Sequence, residues 1–191
     1  AKHLCDGSFE AQSLEALLKS RDPQLLIKAT GEQGLEKLII SYCRIAQYQY
    51  DYPRILCQTA LEVEALKNQY PNQRLYSIEG FLRSCLAQRS ALDPLRAFFA
   101  CFKQSSTLFA RDIWIVLGDL NLSQVQRLQG EAEHQKARLI FASANTNQTH
   151  AFLEQAKIPV IEAACRDKVS TPEALLKALQ DCEARGVLRE I

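Results

Sequence analysis

The sequence lacks several features that would place it in a specialised class of protein. Its 191 residues include no methionine and no apolar run near the roughly 18 residues that a membrane-spanning helix needs. No signal-peptide pattern occurs at its start. These absences predict a soluble cytoplasmic protein with no membrane partner. Because even an initiating methionine is missing, we expect the chain to be covalently part of a larger protein.

Disulfide and metal-binding patterns are missing too. The seven cysteines form no C-x-x-C motif and have no histidine at metal-ligand spacing. Their number is odd, so they cannot all pair as disulfides. We therefore expect reduced, mostly buried thiols, and neither a metal nor another cofactor.

The chain also has no overall excess of basic charge, since its net charge is only +1. Lysine and arginine drive phosphate binding by displacing counterions, and strong nonspecific nucleic-acid binders usually carry a basic excess. Any DNA site must therefore be a local patch. One stretch concentrates basic residues, for which solvated helix faces are the preferred explanation: Arg74, Arg83, Arg89, Arg96, Lys103 and Arg111.

What the sequence does contain is a regular alternation of helical and strand-like segments. Short apolar runs predict strands at 25–28, 54–58, 113–117, 138–142 and 158–161, with helices between them. Strands without a polar face, separated by helices, indicate a mainly parallel sheet covered on both sides. We therefore predict one α/β domain over residues 1–191. Ser123 and Gln126 are expected to form the capping box of the helix after strand 113–117.

The turn after the first predicted strand lies where a phosphate-binding loop would lie, but it lacks the required residues. Such a loop needs a lysine on the phosphates and a hydroxyl on Mg²⁺, at positions that Leu35 and Glu36 occupy here. Leu117 and Gly118 likewise replace the adjacent acids that would hold Mg²⁺ and polarise water. We predict that the domain neither binds nor hydrolyses ATP. An unrelated strand-to-helix turn is the alternative interpretation.

The order of these segments resembles the first motor domain of RecD-like superfamily 1 helicases. The resemblance covers about residues 9 to 162 and is carried by the segments 54–66, 76–82, 113–119 and 138–145. The chain is similar above all to the conjugative relaxase-helicases, which carry a vestigial copy of this domain. The resemblance implies a RecA-like (P-loop NTPase-type) three-layer sandwich without enzymatic activity. It also implies single-stranded DNA as a partner and recognition by a type IV secretion coupling protein.

The resemblance places a DNA contact at a strand end, where Thr59 matches the family motif and Gln58 replaces its proline. Beside it, aromatic and basic residues are of the kind that stacks unpaired bases and binds their phosphates. Tyrosines that close over the sheet edge are the alternative. A polar loop at another strand end adds amide side chains, which a plain turn would explain equally well. The candidate DNA-binding residues are Thr59, Gln58, Arg54, Tyr50, Tyr52, Arg44, Asn145 and Asn147.

Two classes of function therefore remain open. The first is a non-catalytic single-stranded DNA-binding module of a conjugative relaxase-helicase. The second is a protein-docking or translocation-signal domain that a type IV secretion coupling protein recognises. Salt-dependent binding of an oligonucleotide would distinguish them, because phosphate contacts weaken as the salt concentration rises.

Overall fold

A computed structural model of the chain describes residues 9–90, 111–144, 148–165 and 180. Strands and helices alternate along these residues. The strands are β1 (Gln24–Ala29), β2 (Tyr52–Cys57), β3 (Leu75–Ser77), β4 (Asp112–Leu117), β5 (Arg138–Ser143) and β6 (Val160–Ala163). The helices are α1 (Ala11–Lys19), α2 (Glu32–Tyr48), α3 (Ala60–Gln69), α4 (Ile78–Ser90), α5 (Leu122–Gln135) and α6 (Gln148–Gln155).

The six strands form one sheet in the order β3-β2-β4-β5-β1-β6, and every neighbouring pair is parallel. This confirms the predicted fold class, an α/β three-layer sandwich of the RecA-like type. The predicted strand 113–117 lies inside the sheet, between β2 and β5, and Ile113 to Val116 are buried. The predicted strand 158–161 lies two residues later, at 160–163, because the turn after α6 extends to Ile158, whose N–H bonds to Leu153.

Each face of the sheet buries a separate apolar core. Alternate strand residues such as Leu25 and Ile27 pack against α1, α2 and α3, while Leu26 faces the opposite core under α4, α5 and α6. Trp114 is fully buried in the second core, where its ring meets that of Phe81 edge-on at 4.8 Å between centroids. Because both faces are covered, a ligand can reach the sheet only where its strands begin or end. We call the side on which the strands begin the amino edge and the side on which they end the carboxyl edge.

Helix α5 begins at a cap that differs from the prediction. Asn121, not Ser123, accepts a hydrogen bond from the N–H of Gln124, and the Gln124 side chain accepts one from the N–H of Asn121. Both pairs have the spacing of a capping box, so spacing alone could not choose between them.

Two distant parts of the chain meet beside β1. Phe9 and Cys165 form an antiparallel bridge, and the N–H of Glu10 bonds to Ala164. Thr30 stabilises the same contact, because its hydroxyl donates to the Cys165 carbonyl at 2.6 Å.

None of the helices in the described part of the chain has the length and apolar character of a membrane-spanning segment.

Candidate functional site

The turn after β1 is too short to cradle a phosphate. Only Thr30 and Gly31 separate β1 from α2, and the Gly31 carbonyl already accepts the first helical bond, from the N–H of Leu35. A phosphate-binding loop needs a longer glycine-rich segment whose N–H groups point at the ligand. Gly34 instead lies buried within α2, next to the buried Leu35. The backbone groups of this turn therefore begin helix α2 and do not form a phosphate-binding loop.

A cavity of 420 Å³ lies at this carboxyl edge of the sheet. Parallel α/β sheets commonly bind ligands at this edge. Within the described residues, its charged lining consists of carboxylates alone: Glu32, Glu36, Glu62 and Asp119. Leu35, Cys57 and Leu117 supply apolar lining. Because no lysine or arginine is among the lining residues that the structure describes, the carboxylates repel the phosphates that this edge binds in nucleotide-hydrolysing folds.

Cys57 reports the electrostatics of this cavity. The side chain is 1% exposed. Burial first, and then the carboxylates of Glu62 and Glu36, together raise the pKa of the Cys57 thiol to about 12. The thiol is therefore protonated at neutral pH and is a poor nucleophile, because the thiolate is the reactive form.

Thr59 and Gln58, the predicted DNA contacts at this edge, are engaged within the protein. Thr59 caps α3, since its hydroxyl accepts from the N–H of Glu62 at 3.2 Å. The Glu62 carboxylate accepts the N–H groups of Gln58 at 3.1 Å and Thr59 at 3.2 Å. The Gln58 side chain donates to Gln124 at 3.2 Å. Sequence analysis missed Glu62, although Thr59 and Glu62 have the spacing of a capping box.

The loop after β4 keeps a carboxylate but not a pair of acids. Gly118 has a φ of 112°, a backbone conformation that residues other than glycine adopt only under strain. Its N–H bonds to the Ala142 carbonyl at 2.9 Å. Asp119 follows and accepts a hydrogen bond from the Ser143 hydroxyl. In the described ranges, no group of three His, Cys, Asp or Glu residues could hold a metal ion.

The predicted tyrosine and arginine cluster lies at the other edge of the sheet. Tyr52 begins β2 and Cys57 ends it. A six-residue strand is roughly 20 Å long, so Tyr52 and Thr59 lie at opposite edges. The structure therefore does not bring the two halves of the predicted site together.

Tyr52 and Arg54 are already partnered at this amino edge. The guanidinium of Arg74 lies 3.5 Å from the centroid of the Tyr52 ring, and that of Arg54 lies 4.6 Å from it. Arg54 also forms an ion pair with Asp112 at 3.0 Å. These contacts use the groups that would otherwise bind bases or phosphates.

Other tyrosines differ sharply in their exposure. Tyr48 is 88% exposed and Tyr50 is 81% exposed, while Tyr42 is buried. Arg44 is also exposed and lies one helical turn before Tyr48, on the same side of α2. We call Arg44, Tyr48 and Tyr50 the tyrosine surface. It offers two rings that remain available for stacking.

Arginines gather at the next part of this edge, and sequence analysis noted only Arg111, as one member of a basic stretch. A cavity of 200 Å³ is lined by Arg21, Arg111, Arg138 and Asp51, among others. An adjoining cavity of 670 Å³ shares the same three arginines. Arg111 and Arg138 lie at the starts of β4 and β5. Parallel neighbouring strands begin at one edge, so only the unknown strand order kept this convergence from being predicted.

The polar loop contributes less that can be described. Asn145 and Asn147 lie outside the described residues. Beyond them, Thr149 donates its hydroxyl hydrogen to the Leu120 carbonyl at 2.6 Å. His150 is buried, and its pKa is lowered by burial and by the Lys28 ammonium, which itself pairs with Glu154.

Comparison with known proteins adds no family to this description. No protein-family model matches the chain, and no curated protein is similar enough to count as a match. The site's own geometry is therefore the basis for a functional proposal.

Proposed function

We propose that this chain is a non-catalytic single-stranded DNA-binding module, a vestigial RecD-like domain of a conjugative relaxase-helicase. One observation carries the proposal. Two highly exposed tyrosines lie at the amino edge of the sheet, where arginines also gather. Stacking rings beside guanidinium groups are the usual composition of a surface for unpaired bases.

The tyrosine surface favours single strands over duplex. Tyr48 and Tyr50 have most of their ring area in contact with water, so a base can stack on them without moving other side chains aside. A stacked base contributes about 1 to 3 kcal/mol, and only an unpaired base can present its face in this way. Arg44 and Arg111 are exposed and available to the phosphates.

The proposed DNA path differs from the one that the resemblance suggests. A strand that crossed the carboxyl edge would pass Glu32, Glu36, Glu62 and Asp119, whose charges repel phosphates. A strand at the amino edge would meet the tyrosine surface and then the three arginines of the 200 Å³ cavity. We therefore place DNA at the amino edge.

The absence of ATPase activity is part of the same proposal. The two-residue turn after β1, the acidic cavity and the replacement of the motif residues by Leu35, Glu36 and Leu117 all disfavour a bound triphosphate. The enzymatic work of the parent protein would belong to other domains.

A labelled oligonucleotide tests the DNA proposal. Fluorescence anisotropy with a fluorescein-labelled oligothymidylate would compare the full chain with the double variant Tyr48→Ala, Tyr50→Ala. We expect at least about a tenfold loss of affinity, because two stacking contacts disappear. Leu61→Ala is the matched control, since Leu61 is a 78% exposed apolar side chain outside the amino edge. The unsubstituted chain should bind the oligonucleotide more weakly as the salt concentration rises.

Equal affinity of the double variant and the parent would overturn the tyrosine surface as the DNA site. Absence of binding at low salt would overturn DNA binding altogether and favour the second candidate, a protein-docking or translocation-signal domain read by a type IV secretion coupling protein. The carboxyl-edge cavity favours that candidate, because four carboxylates around 420 Å³ suit a lysine- or arginine-bearing segment.

A further inference from the structure

The smaller amino-edge cavity collects positive charge from three separate segments of the chain. Arg21 precedes β1, Arg111 precedes β4 and Arg138 begins β5. Among the residues that the structure describes, the acid that lines the same 200 Å³ cavity is Asp51. Three arginines against one aspartate leave an excess of two positive charges, in a chain whose whole net charge is +1.

Arg138 is held rigidly by neutral acceptors. Its Nε donates to the Asp22 carbonyl at 2.8 Å, one terminal nitrogen donates to the Ser20 hydroxyl at 2.9 Å, and the other donates to the Tyr42 hydroxyl at 3.1 Å. A guanidinium has five N–H donors, so two remain for another acceptor. Among the described residues, no carboxylate forms an ion pair with Arg138.

The neighbouring groups leave this charge in place. Asp51 accepts the backbone N–H of Arg111 at 3.4 Å, and the Asp22 carboxylate accepts the Ser20 hydroxyl at 3.2 Å. The Arg21 guanidinium bonds to the Leu18 and Ser20 carbonyls, which are also neutral. The half-buried Arg138 is therefore a fixed fork that no described carboxylate holds in an ion pair, and a planar guanidinium of this kind suits an oxyanion.

We propose that this cavity is a binding site for a phosphate group, held by Arg138 and closed by Arg21 and Arg111. The 200 Å³ cavity has room for one phosphate group, and the adjoining 670 Å³ cavity, lined by the same three arginines, has room for the molecule that carries it. The phosphate belongs either to the backbone of a bound DNA strand or to a free phosphorylated compound. The first source rests on the proposed function, and the second does not.

Inorganic phosphate is the probe that tests the site. Titration calorimetry and NMR on the full chain would compare phosphate with chloride at equal ionic strength. We expect saturable phosphate binding that Arg111→Gln weakens about tenfold, the effect of losing one charge-assisted hydrogen bond. Arg138→Lys should weaken it as much, because an ammonium lacks the fork. Arg127→Gln is the control, since Arg127 is an exposed arginine on α5 paired with Glu79.

Each outcome has one meaning. Phosphate binding that is lost in Arg111→Gln and Arg138→Lys but kept in Tyr48→Ala, Tyr50→Ala establishes the site. If phosphate also displaces the oligonucleotide, the strand supplies the natural phosphate, and if it does not, the ligand is a free phosphorylated compound. No binding beyond that of chloride overturns the site even if DNA binds, and DNA binding then stands on the tyrosine surface alone. Phosphate binding that survives both arginine variants also overturns it.

Discussion

The two edges of this sheet carry side chains of opposite charge, and the contrast shows that a parallel sheet can place carboxylates where nucleotide-binding sheets bind phosphates. At the carboxyl edge, where α2 and α3 begin, Glu32 and Glu62 occupy the first helical turns. A helix amino terminus attracts anions, and nucleotide-binding folds use this property for phosphates. Here the protein's own carboxylates take that place.

At the amino edge the arrangement is reversed. Helix α1 ends there, and Arg21 donates to the carbonyl of Leu18 in its last turn at 2.8 Å. Cations near a helix carboxyl terminus and anions near its amino terminus each stabilise a helix by about 0.3 to 1 kcal/mol. The charge pattern thus serves the stability of the helices. As a consequence, the edge available to an external anion is the opposite of the one that nucleotide-binding sheets use.

Arg138→Ala should have the largest effect on stability. The substitution removes three hydrogen bonds that join β5 to the segment before β1 and to α2, so we expect a loss of about 3 kcal/mol in the free energy of unfolding. Urea denaturation measures it. Arg127→Ala, which breaks an exposed ion pair with Glu79, should cost no more than about 1 kcal/mol. Equal losses in the two variants would show that Arg138 does not organise the amino edge.

Raising the pH should destabilise the protein through the carboxyl edge. The folded pKa of Cys57 is raised to about 12 from an ordinary value of 9.0, so the native state retains a proton that the unfolded chain loses. This contribution is complete below pH 9 and disappears as the pH rises toward 12, with a slope of up to about 1.4 kcal/mol per unit. Burial raises the pKa of Cys43 in the same direction.

Urea denaturation at a series of alkaline pH values measures this slope. Cys57→Ala should reduce it, and Glu36→Gln should move the upper end of this pH window to lower pH and so reduce the total loss, because one carboxylate that opposes the thiolate is removed. An unchanged slope in Cys57→Ala would contradict the assignment.

Thr59→Ala should separate the structural role of this residue from a role in DNA binding. Loss of the capping hydroxyl should cost about 1 kcal/mol of stability. Thr59→Ser keeps the hydroxyl and is the matched control. DNA affinity, measured by anisotropy, should not change in either variant. A loss of affinity in Thr59→Ala at unchanged stability would move the DNA path back to the carboxyl edge.

Restoring the missing motif residues should have the smallest effect. The double variant Leu35→Lys, Glu36→Ser regains the lysine and the hydroxyl, but the turn stays two residues long, and Glu32, Glu62 and Asp119 still line the cavity. Calorimetry with Mg-ATP should therefore detect no binding in the parent or in the variant. Micromolar binding to either protein would overturn the view that this edge is closed to triphosphates.

The fold was predictable from the sequence because its signals are local. The apolar run from Ile113 to Val116 could be accommodated only in the interior of a covered sheet, and the structure places it there. The absence of the phosphate-loop lysine was equally plain. The length of the turn after β1 could not be predicted, because the sequence does not fix the residue at which α2 begins.

One part of the candidate site could have been predicted from the sequence, and the rest could not. A residue before a strand and a residue after it lie at opposite edges, so Tyr52 and Thr59 could have been separated from the sequence alone. The meeting of Arg21, Arg111 and Arg138 depends on which strands are neighbours, and strand order is a long-range property. Helical spacing also did not reveal that Tyr42 is buried while Tyr48 is almost fully exposed.

The bridge between Phe9 and Cys165 has a mechanical consequence. Chain segments that entered at Phe9 and left at Cys165 would do so side by side, so the domain would add almost no length between its flanking segments. A pull on these two residues would load the bond of Glu10 to Ala164 and the bond of Cys165 to Thr30 directly. We therefore expect this corner to open before the β2-β4-β5 centre of the sheet.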